Sequence, residues 1–239
     1  MSNKDFDPQQ LAAYLHIPTE EVVKLASRGK LPGRRVNGQW RFSESAIHHW
    51  LEEQIGTSNA EQLGKVEELL RRANNGESQW LQLSDIMHVD STSIPLDART
   101  RGSIIRKMCQ LAAKTGLLWD ADKMALAVQD REDLHPTALE NGVALLHPRR
   151  PQQSILAEPI LALGITNSPI PFGNTAGFPT DVFFLICSTD ERVHLQILTR
   201  LSRLLSDSSW LSQLRNASSA SEAIELVRVA ENDCIPTNA

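Results

Sequence analysis

The sequence predicts an α/β domain, a sheet with helices packed on its faces, preceded by a small helical module that carries a hairpin. Three observations support this prediction. Amphipathic helical patterns alternate with short buried apolar runs between residues 97 and 229. Two short helical patterns with a tight break between them open the chain, which is typical of a helix-turn-helix. An Asn-Gly pair then joins two short extended runs, as in a tight hairpin.

The composition is that of an ordinary globular protein. The chain has 239 residues and a net charge of -5, with 22% charged and 41% hydrophobic residues. This charge argues against nucleic-acid binding over the whole surface but leaves room for a local basic patch. The three cysteines form neither a disulfide framework nor a zinc spacing, which indicates a reducing compartment. No apolar run is long enough to cross a bilayer, so we expect a cytoplasmic protein.

The N-terminal module covers residues 1–56. The pattern predicts a helix over residues 8–15 and a second helix that Thr19 caps and Gly29 ends. Asn37-Gly38 predicts a type I′ hairpin turn, and a third helix follows it.

Four segments of this module form a more specific pattern: Leu11-Ala12-Ala13-Tyr14-Leu15, Arg28-Gly29-Lys30-Leu31-Pro32, Asn37-Gly38-Gln39-Trp40-Arg41 and Trp50-Leu51. Together they resemble the winged helix of the excisionase and MerR-like DNA-binding family. The resemblance implies that the second helix enters the major groove and that the wing lies along the DNA backbone. The cations expected to contact DNA are Lys24, Arg28, Arg34, Arg35 and Arg41. Because Glu20 and Glu21 begin the second helix, a fold reused for protein contacts stays open as the alternative.

Residues 57–78 are predicted to form a helical linker. Its apolar residues follow the a/d spacing of a heptad: Leu63, Val66, Leu70 and Ala73. We expect a homodimer through this helix, and a linker helix packed on its own chain is the alternative.

Residues 79–232 are predicted to form the α/β domain, and residues 233–239 a tail. Helices are predicted at 97–116, 121–131, 190–206, 210–215 and 221–229, and strands at 143–146, 154–165 and 182–187, with a loop at 168–180. His147 ends the first strand and precedes Pro148 and two arginines. His194 lies near the centre of the apolar face of the predicted helix at 190–206. We expect the two imidazoles to meet in one solvent-reachable anion pocket. Two separately hydrogen-bonded histidines are the alternative.

Three segments of this domain form a second pattern: Gln129-Asp130-Arg131-Glu132 with Thr137, Asn141 through His147, and His194-Leu195 with Leu198. They resemble enzyme IIA of the fructose/mannitol type, including its nitrogen-regulatory branch, of the bacterial phosphoenolpyruvate-dependent phosphotransferase system. The resemblance implies a mixed sheet flanked by helices. It also implies that His147 takes phosphate from the carrier HPr, with His194 as the second active-site histidine and Arg131 as the nearby arginine. Phosphate contacts are expected from Thr137, Asn141 and Arg149.

The sequence departs from the family's pattern next to His147. Leu146 replaces a proline, and Pro148 removes the backbone N–H that would follow the histidine. Ala138-Leu139-Glu140 replaces a glycine-rich segment, and Glu140 is expected to bring negative charge near the phosphate. Losing one donor can cost about 3 kcal/mol of transition-state stabilisation.

These patterns predict a regulatory protein of the phosphotransferase system, in which phosphorylation of His147 acts on a DNA-binding module. The expected partners are an HPr-like phosphocarrier and DNA, with no membrane partner. The alternative is a non-catalytic, degenerate IIA-like docking module. No cofactor or metal is expected, because His135, His147 and His194 have no further ligand at a recognised spacing and no nucleotide-type glycine loop occurs.

Overall fold

The computed structural model describes residues 5–15, 18–43, 46–47, 50, 81–173 and 177–234, and the chain divides into two compact units, residues 1–79 and 80–239. The predicted linker helix, the dimer through it and most of the third N-terminal helix lie outside the described residues. No described helix is long and apolar enough to span a membrane.

The first unit is a helix-turn-helix with a small antiparallel sheet. Its elements are β1 (Asp5–Phe6), α1 (Pro8–Leu15), α2 (Thr19–Ser27), β2 (Arg34–Val36) and β3 (Gln39–Ser43), and the strand order is β1-β3-β2. Val36 pairs with Gln39 across the turn, where Asn37 and Gly38 have φ values of 51° and 79°. Positive φ at both central residues is the requirement of a type I′ turn, so the predicted hairpin is confirmed.

Of the two predicted ends of α2, the C-terminal one is confirmed and the N-terminal one is wrong. Gly29 ends the helix as predicted: its φ is 69°, its N–H donates to Ala26, and the N–H of Lys30 donates to Leu25. The predicted cap at Thr19 is wrong, because Thr19 is already the first helical residue. Pro18 precedes it with φ -59° and ψ 142°, and no side chain among the described residues caps this end.

The second unit is an α/β domain with a four-stranded sheet. After two short 3₁₀ turns, Ser84–Ile86 and Val89–Ser91, its elements are β4 (Thr92–Ser93), α3 (Arg101–Ala113), α4 (Ala121–Leu134), β5 (Val143–Leu146), β6 (Ile160–Ile170), β7 (Thr180–Cys187), α5 (Glu191–Leu205), α6 (Ser208–Arg215) and α7 (Ala220–Cys234). The strand order is β4-β6-β7-β5. β6 and β7 are antiparallel, and the two outer pairs are parallel. The predicted mixed sheet flanked by helices is therefore confirmed.

Alternate residues of β5 and β7 face opposite sides of the sheet. One side packs against α3 and α4 in a single apolar core, to which the strands contribute Ala144, Leu146, Phe183, Leu185 and Cys187. The intervening residues face the other side, where α5 contacts β7. His147 lies two residues after Leu145, so its side chain is on the same side of the sheet as that of Leu145, the side against which α5 packs.

The boundaries of β6 were predicted poorly. The strand begins after Pro159, whose ring nitrogen has no hydrogen to donate to the ladder, and it runs on to Ile170. Pro169 lies inside it, in a stretch where the pairing with β7 is irregular between Ile165 and Ile170. The predicted loop at 168–180 is correspondingly shorter.

Candidate active site

The structure brings His147 and His194 together at the carboxyl ends of two parallel strands. His147 directly follows β5, while β7 leads into α5, the fourth residue of which is His194. Asp190 caps α5 by accepting a hydrogen bond from the N–H of Val193 at 2.9 Å. The two imidazole rings have centroids 5.0 Å apart and planes inclined by 50°. The predicted convergence of the two histidines is thus present in the fold.

One hydrogen bond sets the tautomer of His147. Its Nδ1 lies 2.8 Å from the carbonyl oxygen of Leu145. A carbonyl oxygen can only accept, so Nδ1 carries the hydrogen and, in the neutral ring, Nε2 carries the lone pair. The ring is therefore oriented with Nε2 as its nucleophilic nitrogen.

Both histidines are buried. Each is 4% exposed, and the Nε2 atoms are among the buried atoms. The expectation of a solvent-reachable pocket is wrong, because both rings are buried on the side of the sheet against which α5 packs. A phosphoryl donor would reach the rings only after side chains at this edge move.

Arg131 lies in α4, and Thr137 lies in the segment between α4 and β5. Thr137 accepts the N–H of Leu145 at 3.4 Å through its carbonyl, which places it beside the strand end that leads to His147. Arg131 donates through Nη1 to the carbonyl of His135 at 2.8 Å.

Glu132 engages both donors of Thr137. The carboxylate is 1% exposed and accepts the backbone N–H of Thr137 at 3.2 Å as well as its hydroxyl. Burial raises the pKa of Glu132, against the lowering effect of the hydrogen bonds from Thr137 and the charges of Arg101 and Arg131. A phosphate would have to compete with this carboxylate for Thr137.

Asn141 and Glu140 lie at the opposite end of β5 from His147. Residues 138 and 144 pair in antiparallel fashion, so residues 139–142 form the turn of a hairpin. The side-chain amide of Asn141 donates to the carbonyl of Leu205 at 3.3 Å. Up to roughly 20 Å of extended chain separates residues 141 and 147. The expected negative charge of Glu140 near the phosphate is therefore wrong, and Asn141 has a structural contact instead.

Three further residues bear on the site: Arg149, which was predicted, and Glu132 and Ser188, which were not. Arg149 is exposed, two residues after His147. Sequence reasoning assigned no role to Glu132, although it stood in the motif that carries the family resemblance, and it missed Ser188, a buried serine directly after β7. No group of three or more His, Cys, Asp or Glu within the described ranges could hold a metal ion.

The predicted DNA-contacting residues gather on the hairpin and on α2. Arg34 and Arg41 are directly opposite each other on β2 and β3, and the guanidinium of Arg35 lies 5.1 Å from the centre of the Trp40 ring. Arg34 also pairs with Asp5 at 2.7 Å.

Lys24 lies in the last part of α2, and Arg28 directly follows the helix. Lys24 pairs with Glu21 at 3.1 Å, and Arg28 is exposed just after the helix. On the hairpin, Arg34 and Arg41 share one face, and Arg35, the next residue along β2, lies on the other.

Comparison with known families accounts for both units. Residues 85–229 match the family described as "Phosphoenolpyruvate-dependent sugar phosphotransferase system, EIIA 2". The chain belongs to this family. Residues 6–55 match a helix-turn-helix domain family. The second unit is therefore a IIA domain, and a helix-turn-helix domain precedes it.

Curated relatives fall into two groups. The chain is 23% identical over 149 residues to the PTS system fructose-specific EIIABC component of Bacillus subtilis, and the match covers 62% of this chain but only 23% of that protein. It is 25% identical over 152 residues to the nitrogen regulatory protein of Klebsiella oxytoca, covering 63% of this chain and 92% of that protein.

Solved structures share the fold of the IIA domain. Nitrogen regulatory protein IIA-Ntr from Neisseria meningitidis superposes with a TM-score of 0.55 at 20% identity, covering 60% of this chain and 97% of that one. IIA mannitol from Escherichia coli gives 0.52 at 22% identity, covering 59% and 97%.

Proposed function

We propose that the IIA domain accepts a phosphoryl group on Nε2 of His147 from an HPr-like phosphocarrier and that this modification regulates DNA binding by the helix-turn-helix domain. The observation that carries the proposal is the meeting of His147 and His194 at the carboxyl ends of β5 and β7. The nitrogen regulatory relatives, which match over the IIA domain, support a regulatory role.

The proposed transfer needs no net movement of a proton. Nε2 of neutral His147 forms a P–N bond as the P–N bond of the protonated phosphohistidine on the carrier breaks, and the carrier's imidazole leaves neutral. His147 then bears the positive charge, which the Nδ1–H shares with the carbonyl of Leu145. Positioning and charge stabilisation supply the rate, as in other phosphoryl transfers.

His194 and the arginines have supporting roles in this proposal. His194, with its ring next to His147, donates to the phosphoryl oxygens. Arg131 and Arg149 lie within the segments on either side of His147 and supply positive charge after side-chain movement. We leave Asn141 out of the site because of its position at the other end of β5.

Phosphoryl transfer is tested by incubating the full-length protein with phosphoenolpyruvate, enzyme I and HPr. We expect wild type to become labelled and His147→Ala to remain unlabelled. His135→Ala is the matched control, because His135 is an exposed histidine of the same domain, and we expect it to be labelled like wild type. A wild type that takes no label would reject the proposed transfer.

DNA binding is tested by retention of the full-length protein on DNA at increasing salt, and its regulation by comparing the phosphorylated with the unphosphorylated protein. Each phosphate contact that is removed reduces the slope of log K against log[salt] by about 0.9. We expect Arg34→Ala with Arg35→Ala to weaken retention and flatten this slope. Arg228→Ala removes one exposed cation outside the hairpin, so it controls for the position of the lost charge, and we expect unchanged retention.

Dimerisation would strengthen such binding, because two modules can bind two half-sites. Sedimentation that shows a monomer at all concentrations would remove the dimer from the proposal.

The second candidate function is a non-catalytic docking module. The 4% exposure of His147 and the missing N–H at Pro148 favour it. An unlabelled wild type that still binds HPr would establish this function, whereas labelling that depends on His147 would exclude it.

A further inference from the structure

Ser188 carries a buried hydroxyl at the end of the sheet where the histidines meet. It is the first residue after β7 and is 1% exposed. Its Oγ has no hydrogen-bond partner in the part of the chain that the structure describes. Buried hydroxyls are nearly always hydrogen-bonded in folded proteins, so an exception calls for an explanation.

The register of β5 and β7 places this hydroxyl on the same side of the sheet as His147. Leu145 is opposite Phe184 in the parallel pairing, and paired residues of neighbouring strands share a face. His147 lies two residues after Leu145, and Ser188 lies four residues after Phe184. Side chains an even number of residues apart in a strand share a face. Both side chains therefore belong to the face on which α5, and with it His194, is packed.

The neighbouring backbone lacks one donor. Pro148 follows His147 and has no N–H, so the chain cannot donate at that position to a group on the histidine. A transferred phosphoryl group has three oxygens that need donors.

We propose that the Ser188 hydroxyl donates a hydrogen bond to a phosphoryl oxygen on His147, in place of the backbone N–H that Pro148 lacks. This inference rests on the proposed phosphorylation of His147. The ligand that satisfies the buried hydroxyl is then the phosphoryl group itself.

The test compares Ser188→Ala with Thr180→Val in the full-length protein. Thr180 is the matched control, because its hydroxyl is also buried without a partner among the described residues but lies at the other end of β7. The readouts are the initial rate of transfer from phosphorylated HPr, the half-life of the phosphohistidine and the melting temperature.

We expect Ser188→Ala to slow transfer by about 10- to 100-fold and to shorten the half-life, because one donor to the phosphoryl group is lost. Thr180→Val should transfer at the wild-type rate. Ser188→Thr restores the hydroxyl and should recover most of the rate, and Ser188→Cys, of similar size but a weak donor, should resemble Ser188→Ala. Ser188→Cys also decides the matter if Ser188→Ala melts too early to assay.

Equal transfer rates and half-lives for the Ser188 variants and Thr180→Val would overturn the inference while leaving the phosphorylation of His147 intact. A wild type that takes no label would instead reject the proposed function, and the role of Ser188 with it. A slower Ser188→Ala with an unchanged phosphohistidine half-life would also contradict the proposed contact.

Discussion

The two ends of the parallel pair β5 and β7 both carry polar residues, but they use them differently. At the amino end, Arg215 binds Asp181 at 2.9 Å and also donates to the carbonyl of Asn141, so these groups satisfy one another. At the carboxyl end, two imidazoles meet and a buried serine lies beside them without a protein partner among the described residues. The hydroxyl of Thr180, at the amino end, also lacks a partner among the described residues. The neighbouring histidines therefore distinguish the carboxyl end, because imidazoles beside a buried hydroxyl can bind a ligand.

Removing Arg215 should have the largest effect on stability. Arg215→Ala leaves the partly buried Asp181 carboxylate without its partner and removes a donor to the exposed carbonyl of Asn141, and we expect a loss of about 1–3 kcal/mol in the free energy of unfolding. The measurement is unfolding by urea. Arg228→Ala breaks an exposed pair with Glu225 and should cost less than about 0.5 kcal/mol.

Phosphoryl transfer to folded Arg215→Ala should equal that of wild type. A selective loss of transfer without a loss of stability would contradict the structural role of the amino end.

Among the site residues predicted from the sequence, His194 should have the largest effect on transfer after His147 itself. We expect His194→Ala to slow labelling by about 10- to 100-fold, because a group beside the reacting nitrogen is lost. The measurement is the initial rate of labelling from phosphorylated HPr. Asn141→Ala, the residue that sequence reasoning placed at the phosphate, should stay within about twofold of wild type, since distant groups act independently. Equal losses in the two variants would break the distinction between the strand ends.

Glu132 should produce a smaller effect, visible in the pH dependence of stability. Because burial raises its pKa above the ordinary value of 4.5, the folded domain binds more protons than the unfolded chain. The associated stability is fully present below the ordinary value and is lost as the pH rises through the raised pKa. Glu132→Gln should therefore lose less stability than wild type between acidic and neutral pH.

The measurement for Glu132 is the urea midpoint as a function of pH. Glu225→Gln, at an exposed position, serves as the control and should follow wild type. If the urea midpoints of wild type and Glu132→Gln change with pH in the same way, the raised pKa of Glu132 is contradicted.

Local patterns predicted the fold best where local chemistry decides it. The Asn37-Gly38 turn and the end of α2 at Gly29 require positive φ, and apolar periodicity located β5 and α5. The two-residue strands β1 and β4 exist only through pairing with distant residues, and no local pattern indicates them. The extent of β6 was missed for the same reason, because the strand pairs with β7 again at Ile170, beyond Pro169.

The site was predicted in its histidines but not in their surroundings. The family resemblance paired His147 with His194, which lie 47 positions apart in the sequence. It placed Asn141 at the phosphate because the hairpin that brings residue 138 opposite residue 144 was not foreseen. Ser188 carries no sequence signal: only the register of β7 against β5 assigns its side chain to the face of the histidines.

The most direct test of the central claim is to map the phosphate on the labelled full-length protein by ³¹P NMR and mass spectrometry. Because Nδ1 of His147 donates to the carbonyl of Leu145, we expect a phosphohistidine linked through Nε2 at residue 147. Phosphate on Nδ1, on another residue or on none would contradict this account.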